Sequence, residues 1–437
     1  MFLSLLLIVL LSIAPIPKTY AQTDYDKVTD PIQRTNLAFS TLQTWYNAST
    51  GLWETTGWWN CANIITLLGN FAKADTKNET LQGLVRDIFA NALRVAPAKN
   101  PQPGIEDPPL NGTKNGTSAH STLTGLESGY MKHLKPSTNE PYTMFPANWD
   151  NSSGPYKHVT TLTYPTTLDP RNWLDGFYDD DLWWALAWIN AYDLTLDSSY
   201  LNLAEGIFTA VAGTWGTSCF SGGIYWSWKK DYINAIANEL FFGTAAHLAN
   251  RFADSNKKAM YSDWAERTLA WFLQSGMINE RGTINDGLTA NCTNNNMTTW
   301  SYNQGVVLGG LVELNAASPN STYLTLASRI AHAALIELSD SNGVIHDVCE
   351  PDCGGDGAQF KGIFMRNLVA LHEAAPDDAY AKAIRTNADS IWVNDRNETA
   401  EELQEFSVDW AGPWVEPANA STHSSAMDAL VAAIVVA

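Results

Sequence analysis

The chain has 437 residues and a formal net charge of −20, from 46 acidic and 26 basic side chains without a basic cluster. That balance excludes nucleic acid and anionic membrane surfaces as partners. Apolar residues make up 45%, enough for a large core. The 18 tryptophans, often beside Asn, Asp or Gly, suit either that core or a groove in which indoles pack against the C–H faces of sugars.

The chain opens with MFLSLLLIVLLSIAPIPKTYA, an apolar stretch short for a bilayer span that ends at Ala21. It reads as a cleaved secretory signal over residues 1–21. Cleavage removes only Lys18 and moves the charge from −20 to −21. No other run is long enough to span a bilayer, so stable membrane insertion is not expected. Ten N-x-S/T sequons follow, at Asn47, Asn78, Asn111, Asn115, Asn151, Asn291, Asn296, Asn320, Asn397 and Asn419, a density that suits a secreted glycoprotein.

WWNCANIITLLG carries Cys61, expected as a buried free thiol among five cysteines. CEPDC sets Cys349 close to Cys353, and Cys219 with Cys292 is the candidate long-range bridge. A zinc site at His346, Cys349 and Cys353 is the alternative, but secretion favours the disulfide. The segment from about Pro97 to Pro170, rich in Pro, Gly and Asn, is either a surface excursion or an irregular wall of a site.

Helical periodicity then recurs. YLNLAEGIFTAVAGTW places Leu201, Ala204, Ile207, Phe208 and Val211 on one face. SDWAERTLAWFLQSGM predicts a helix capped by Ser262, and YLTLASRIAHAALIEL repeats the stripe through Leu324, Ala327, Ile330, Ala331 and Ala334. Strand alternation is scarce. The pattern predicts an all-α fold, one domain over 22–437 built from successive helical hairpins. The final STHSSAMDALVAAIVVA reads as a closing amphipathic helix rather than a lipid-anchor signal, since no polar spacer follows its small residues.

The chemistry concentrates in GFYDDDLWWALAWINAYDLT. One acidic residue suffices to cap a helix, and Asp181 fits that role for a helix starting near Leu182. Asp179 and Asp180 then need another reason. The spacing does not match an EF-hand. Paired carboxylates beside aromatics suit glycoside hydrolysis, where one group is ionised while the other holds a proton for the leaving oxygen. Mutual repulsion raises the pKa of one partner and so separates their states at one pH. HExxH, G-x-S-x-G, Walker and G-x-G-x-x-G patterns are missing from the sequence, and the eight histidines form no convincing ligand set, so neither cofactor nor metal is expected.

This segment resembles the catalytic segment of glycoside hydrolase family 76, the endo-α-1,6-mannanases and related fungal cell-wall enzymes. GWWNCANIITLL, GGIYWSWKKDYINAIANELFF, WSYNQGVVLGGLVEL, FKGIFMRNL and SSAMDALVAA resemble further blocks of that family in order. The resemblance implies an (α/α)6 barrel, a toroid of helical hairpins with its site in a cleft at one end. It also implies a retaining mechanism with Asp179 as nucleophile and Asp180 as general acid/base. The bare residues agree on the pair but do not order its roles, and neighbouring side chains call for an irregular turn to aim both at one bond.

Other blocks supply candidate substrate contacts. One of Trp183 and Trp184 walls the cleft while the other enters the core. Asn234 and Asn238 share a helix face, as an internal network or as a sugar-hydroxyl site. Tyr302, Asn303 and Gln304 form a helix-start cluster. Asp286 is either a turn residue or a sugar contact, Tyr225, Trp226 and Trp228 offer stacking faces, and Lys361 and Arg366 either clamp a ligand or pair with the surplus acids. Trp183, Tyr225, Trp226 and Lys361 complete the expected binding set. The expected activity is hydrolysis of internal α-1,6 bonds in mannan or manno-oligosaccharides outside the cell or in the wall. Its rivals are a cell-wall transglycosidase and a mannan-binding protein without turnover.

Overall fold

The structure is a computed structural model that describes residues 25–101, 130–132, 144–146, 168–397 and 403–437. The expected signal, the sequons Asn111, Asn115 and Asn151, and most of the Pro97–Pro170 segment lie outside the described residues. Twelve α-helices are described: α1 (Pro31–Leu42), α2 (Trp58–Ala74), α3 (Glu79–Val95), α4 (Tyr178–Thr195), α5 (Ser198–Ala212), α6 (Ala235–Arg251), α7 (Ser255–Ser275), α8 (Ser301–Ala317), α9 (Ser321–Leu338), α10 (Phe360–Ala374), α11 (Asp378–Asn394) and α12 (Ala420–Val435).

They alternate between two concentric rings. The even-numbered helices pack in sequence, α2 on α4, α4 on α6, α6 on α8, α8 on α10 and α10 on α12, and α12 closes the ring against α2. The odd-numbered helices cover this ring from outside, giving an (α/α)6 barrel. Composition explains the division. Along α6, α8 and α12 almost every residue is buried, as an inner helix covered on all sides requires, whereas α3, α7 and α9 bury only a stripe. The stripes expected for α5 and α9 are buried, with Leu324 only half-buried.

Short turns such as 196–197, 252–254 and 375–377 carry each inner helix into the next outer one. The return connections are long, and 43–57, 213–234, 276–300 and 339–359 all lie at the other end. All inner N-termini therefore face the long loops. Every outer helix starts at the short-turn end with an Asx cap: Asp30, Asn78, Asp197, Asp254, Asn320 and Asp377 each accept a backbone N–H of the first turn. Asp254, not the expected Ser262, caps α7. Its first turns, SNKKAMY, are mostly polar because they face solvent, which hides them from a search for apolar periodicity.

Ten of the 18 tryptophans are buried, so most of them build core. Trp58, Trp173, Trp184 and Trp188 form one cluster, with centroids of Trp184 4.7 Å from those of Trp58 and Trp173. The inner ring closes tightly through glycine: a methyl group on Gly305 would lie 2.6 Å from the Phe364 Cα, and one on Gly362 2.6 Å from the Ser425 carbonyl oxygen. Cys219–Cys292 and Cys349–Cys353 are disulfides, and Cys61 is a buried thiol, as expected from the sequence. No described helix is long and apolar enough to cross a membrane. Because backbone cannot yield as a side chain does, Gly362→Val should lower the free energy of unfolding by at least about 1–3 kcal/mol, read from urea denaturation.

Candidate active site

Where the inner N-termini converge, the loops are stitched to one another in chain order. Trp228 donates its N–H to Gly176 O and Tyr178 donates to Trp226 O (both 2.9 Å), which brings the 213–234 loop over the start of α4. Ala235 donates to Asp286 O (2.8 Å) and Leu288 to Ile233 O (2.9 Å), placing Asp286 beside the start of α6. The disulfide Cys219–Cys292 joins these same two loops.

Asp179, Asp180 and Asp181 occupy the first turn of α4, which begins at Tyr178 rather than near Leu182. No irregular turn separates them: the helix is already formed, and its cap position, Phe177, contributes no side-chain bond. Asp181 is not the cap either. It is buried and its Oδ1 accepts the Asp175 N–H at 2.9 Å. Asp175, also buried, accepts the Phe177 N–H at 2.8 Å. Asp179 Oδ2 accepts from Trp226 Nε1 at 3.0 Å, while Oδ1 is buried without a partner.

Four carboxyl groups thus share one small volume. Burial raises them all, Asp175 to about 6, Asp179 to about 7, and Asp180 and Asp181 well above the usual range. The neighbours separate the pair. Asp179 has an indole N–H to stabilise its charge, whereas Asp180 is pushed further up by Asp175, Asp179 and Asp181. Asp179 therefore ionises first, and Asp180 holds its proton.

Around the pair stand aromatic and polar groups from distant segments. Trp226 is exposed, and Tyr225, half-buried, has its hydroxyl against Ser218. Tyr302 stacks on Phe360 at 3.8 Å, and the nearby acids Asp286, Asp179, Glu239 and Asp356 add to burial in holding its phenol protonated. Asp286 accepts from the Tyr232 hydroxyl, which in turn accepts from Asn295 Nδ2 at 3.0 Å. Asn303 is fully buried with both amide atoms unpartnered. Trp183 is buried and stacks under Trp59 at 5.9 Å, while Trp184 lies in the core; it is Trp59, bonded to Asp356 at 2.8 Å, that keeps solvent access.

Five expected contacts serve the scaffold instead. Asn234 caps α6. Asn238 grips both backbone groups of Ile224, accepting its N–H at 2.8 Å and donating to its carbonyl at 3.0 Å. Gln304 does the same to Ile284, at 2.8 and 2.9 Å. Lys361 is buried against Glu350 (2.6 Å) and the Val408 carbonyl (2.7 Å), and Arg366 pairs with Asp428 at 3.3 Å. Each is a buried polar group that must find its partners inside the protein. The sequence reading also passed over Asp175, Trp59, Tyr232, Asn295 and Asp356, which come from loops and helix starts without periodic signal.

Among the described residues, only His346, Glu350 and Asp409 bring potential metal ligands together, and Glu350 already pairs with Lys361 and His346. That set reads as an ion network.

A helical toroid with paired acids and aromatic faces at its loop end defines a carbohydrate-active protein. The model of Glycosyl hydrolase family 76 matches residues 163–437, and the chain belongs to that family. Similar proteins include the mannan endo-1,6-alpha-mannosidase DCW1 of Candida albicans, 28% identical over 44% of this chain and 46% of that protein. A putative mannan endo-1,6-alpha-mannosidase of Schizosaccharomyces pombe is 30% identical over 45% and 48%. The matched region spans about half the length of these curated relatives. Among solved structures, the GH76A α-1,6-mannanase of Salegentibacter sp. HEL1_6 shares the fold with a TM-score of 0.67 at 17% identity, covering 93% of this chain and all of that one. An inactive variant of that enzyme, with two adjacent aspartates replaced by asparagine, is in complex with α-1,6-mannotriose. Dfg5 from Chaetomium thermophilum, in complex with glucosamine, gives 0.65 at 15% identity over 93% and 90%.

Replacing Asn238 by Ala strands both groups of Ile224, so a loss of roughly 1–3 kcal/mol per buried group is expected in urea unfolding. Glu239, buried with both oxygens unpartnered, keeps its proton above its ordinary value of 4.5 because of burial and then Asp286. The contribution of Glu239 to stability should therefore fall as pH rises above about 4.5. Glu239→Gln should flatten that slope in melting temperatures measured from pH 4 to 8.

Proposed function

We propose that this protein cleaves internal α-1,6-mannosidic bonds of mannan with retention of configuration, acting outside the cell or in the wall. The observation that carries the reading is the environment of the adjacent pair: Asp179, steadied by the Trp226 N–H, is the carboxyl that ionises first, and Asp180, surrounded by acids, is the one that keeps its proton. Membership of the family and the mannan-acting names of the relatives support the substrate class. Two disulfides and a dense set of sequons support the location.

In the first step an Asp179 carboxylate oxygen attacks the anomeric carbon as the glycosidic C–O bond breaks, and the leaving oxygen takes the proton of Asp180. Asp180, now a carboxylate, then removes a proton from water. The hydroxide oxygen attacks the anomeric carbon, the ester bond breaks, and both acids return to their starting states. Trp59 and Trp226 supply faces for neighbouring sugars, and Asp286, Tyr232 and Tyr302 supply polar contacts. The half-buried pair and the unpartnered Asp179 oxygen favour turnover over binding alone.

NMR of products from linear α-1,6-mannan tests the reading. Initial α-anomers are expected, initial β-anomers would overturn the role of Asp179, and new linkages to an added acceptor without new reducing ends would make the protein a transglycosidase. Asp180→Asn should lower kcat by about 10²–10⁴-fold, with KM less affected. Because Asp179 must be ionised, kcat/KM should fall as pH drops below about 7. Asp175→Asn removes a charge that raises Asp179 and should move that limb to lower pH.

A further inference from the structure

At the short-turn end the inner ring encloses a second cavity, of about 440 Å³, within the usual range for small-molecule pockets. Its lining follows the bore-facing stripe of each inner helix. On α4 that stripe runs Trp183, Leu186, Asn190, Asp193, and above it, one turn nearer the loops, stands Asp179. The ten residue steps of helix from Trp183 to Asp193 make the well about 15 Å deep. Its floor is Trp183 with the pair Arg366–Asp428, and the other side of Trp183 carries Trp59 of the loop-end cleft. Trp183 thus lies between the two.

The lining selects a ligand class. Six inner C-termini and Glu373 surround the mouth, and Asp193 and Glu313 offset the charge of Arg251 there, so no net positive charge invites an anion. Arg251, held between Asp193 at 2.8 Å and Glu313 at 2.7 Å, together with Lys73 and Arg366, opposes an organic cation. Leu186, Ile189, Ala370 and Val431 form an apolar belt between this mouth and the polar floor. A purely apolar guest would meet Asp428, which is 5% exposed, has Oδ1 without a partner, and is drawn up to about 7 by burial. A neutral polyhydroxyl molecule with an apolar face satisfies all four conditions.

We propose that this well is a second saccharide site, taking a short α-1,6-linked manno-oligosaccharide at the end of the barrel opposite the paired aspartates. The choice of sugar rests on the mannan reading above. The site would sample free chain ends or released product, since its depth along the bore does not admit the middle of a polymer.

Calorimetric titration of α-1,6-mannobiose into the Asp179→Asn, Asp180→Asn double variant measures both sites without turnover. The same titration is run with Ala370→Trp or Ala74→Trp added, each filling the well from a different wall, with near-ultraviolet dichroism matched to the parent. Two equivalents per chain in the parent, reduced to one by either filling, are expected. A single equivalent that survives both fillings overturns the second site and leaves the mannan reading standing. A single equivalent abolished by both supports the well and removes mannan from the loop-end cleft. No binding overturns both.

Discussion

All six inner helices run in the same direction, and the rest of the molecule depends on that constraint. It follows from unequal connections: a turn of a few residues leaves no room for a change of direction other than reversal onto the outer ring, while the long returns bring each chain segment back to the same end. Backbone N–H groups of the inner first turns are thereby gathered around one opening. At α2, α4, α8 and α10 the cap residue's own side chain accepts no first-turn N–H, unlike the outer helices at the far end. Asp347 accepts the Ser301 N–H of α8 and Ser425 that of Gly362 in α10, while α4 has no such partner from its cap residue Phe177. The positive ends of those helices oppose, without cancelling, the desolvation that raises the four aspartates.

A ring of such helices positions loops only if something fixes the loops to it. Side-chain amides do this: Asn238 and Gln304 each hold both backbone groups of a buried residue, Ile224 and Ile284, and from the outer ring Asn387 accepts the Ile345 N–H at 2.9 Å and donates to the Gly343 carbonyl at 3.1 Å. Each pinned isoleucine is fully buried, so the loop is held by apolar packing and by directional bonds at one point. Trp226 and Asp286 lie within two residues of pinned positions, which is how groups far apart in sequence reach one cleft.

Much of this was legible in the chain. Helical hairpins follow from periodicity, the Cys349–Cys353 bridge from close spacing, and Asp179 with Asp180 stand out by their crowding, while Cys219–Cys292 was a candidate pair that the structure joins. Which polar residues face the cleft was not legible, because Asn238, Gln304 and Lys361 have the residue types and helix-start positions of cleft-facing groups; only their partners, on other segments of the chain, reveal that they are consumed by the scaffold. Trp59 was missed for the converse reason. It follows Trp58 in an apolar run, and one of the two faces the core while its neighbour faces the bore, a difference set by the 100° step of the helix. The difference in environment between Asp179 and Asp180 likewise depends on Trp226, 47 residues away.

The last helix has a consequence for biogenesis. α12 is buried along nearly its whole length, packs on α1, α2, α10 and α11, and is the segment that joins the two ends of the inner ring. During synthesis the earlier hairpins can form from local contacts as they emerge, but α1 has no partner for the face it lays on α12 until α12 itself has been made. The ring remains open, with apolar bore-facing surface uncovered, up to that final docking. Chaperone dependence should therefore last until α12 has emerged, and loss of the closing helix should be sensed by quality control as an unfinished barrel rather than as a shortened one.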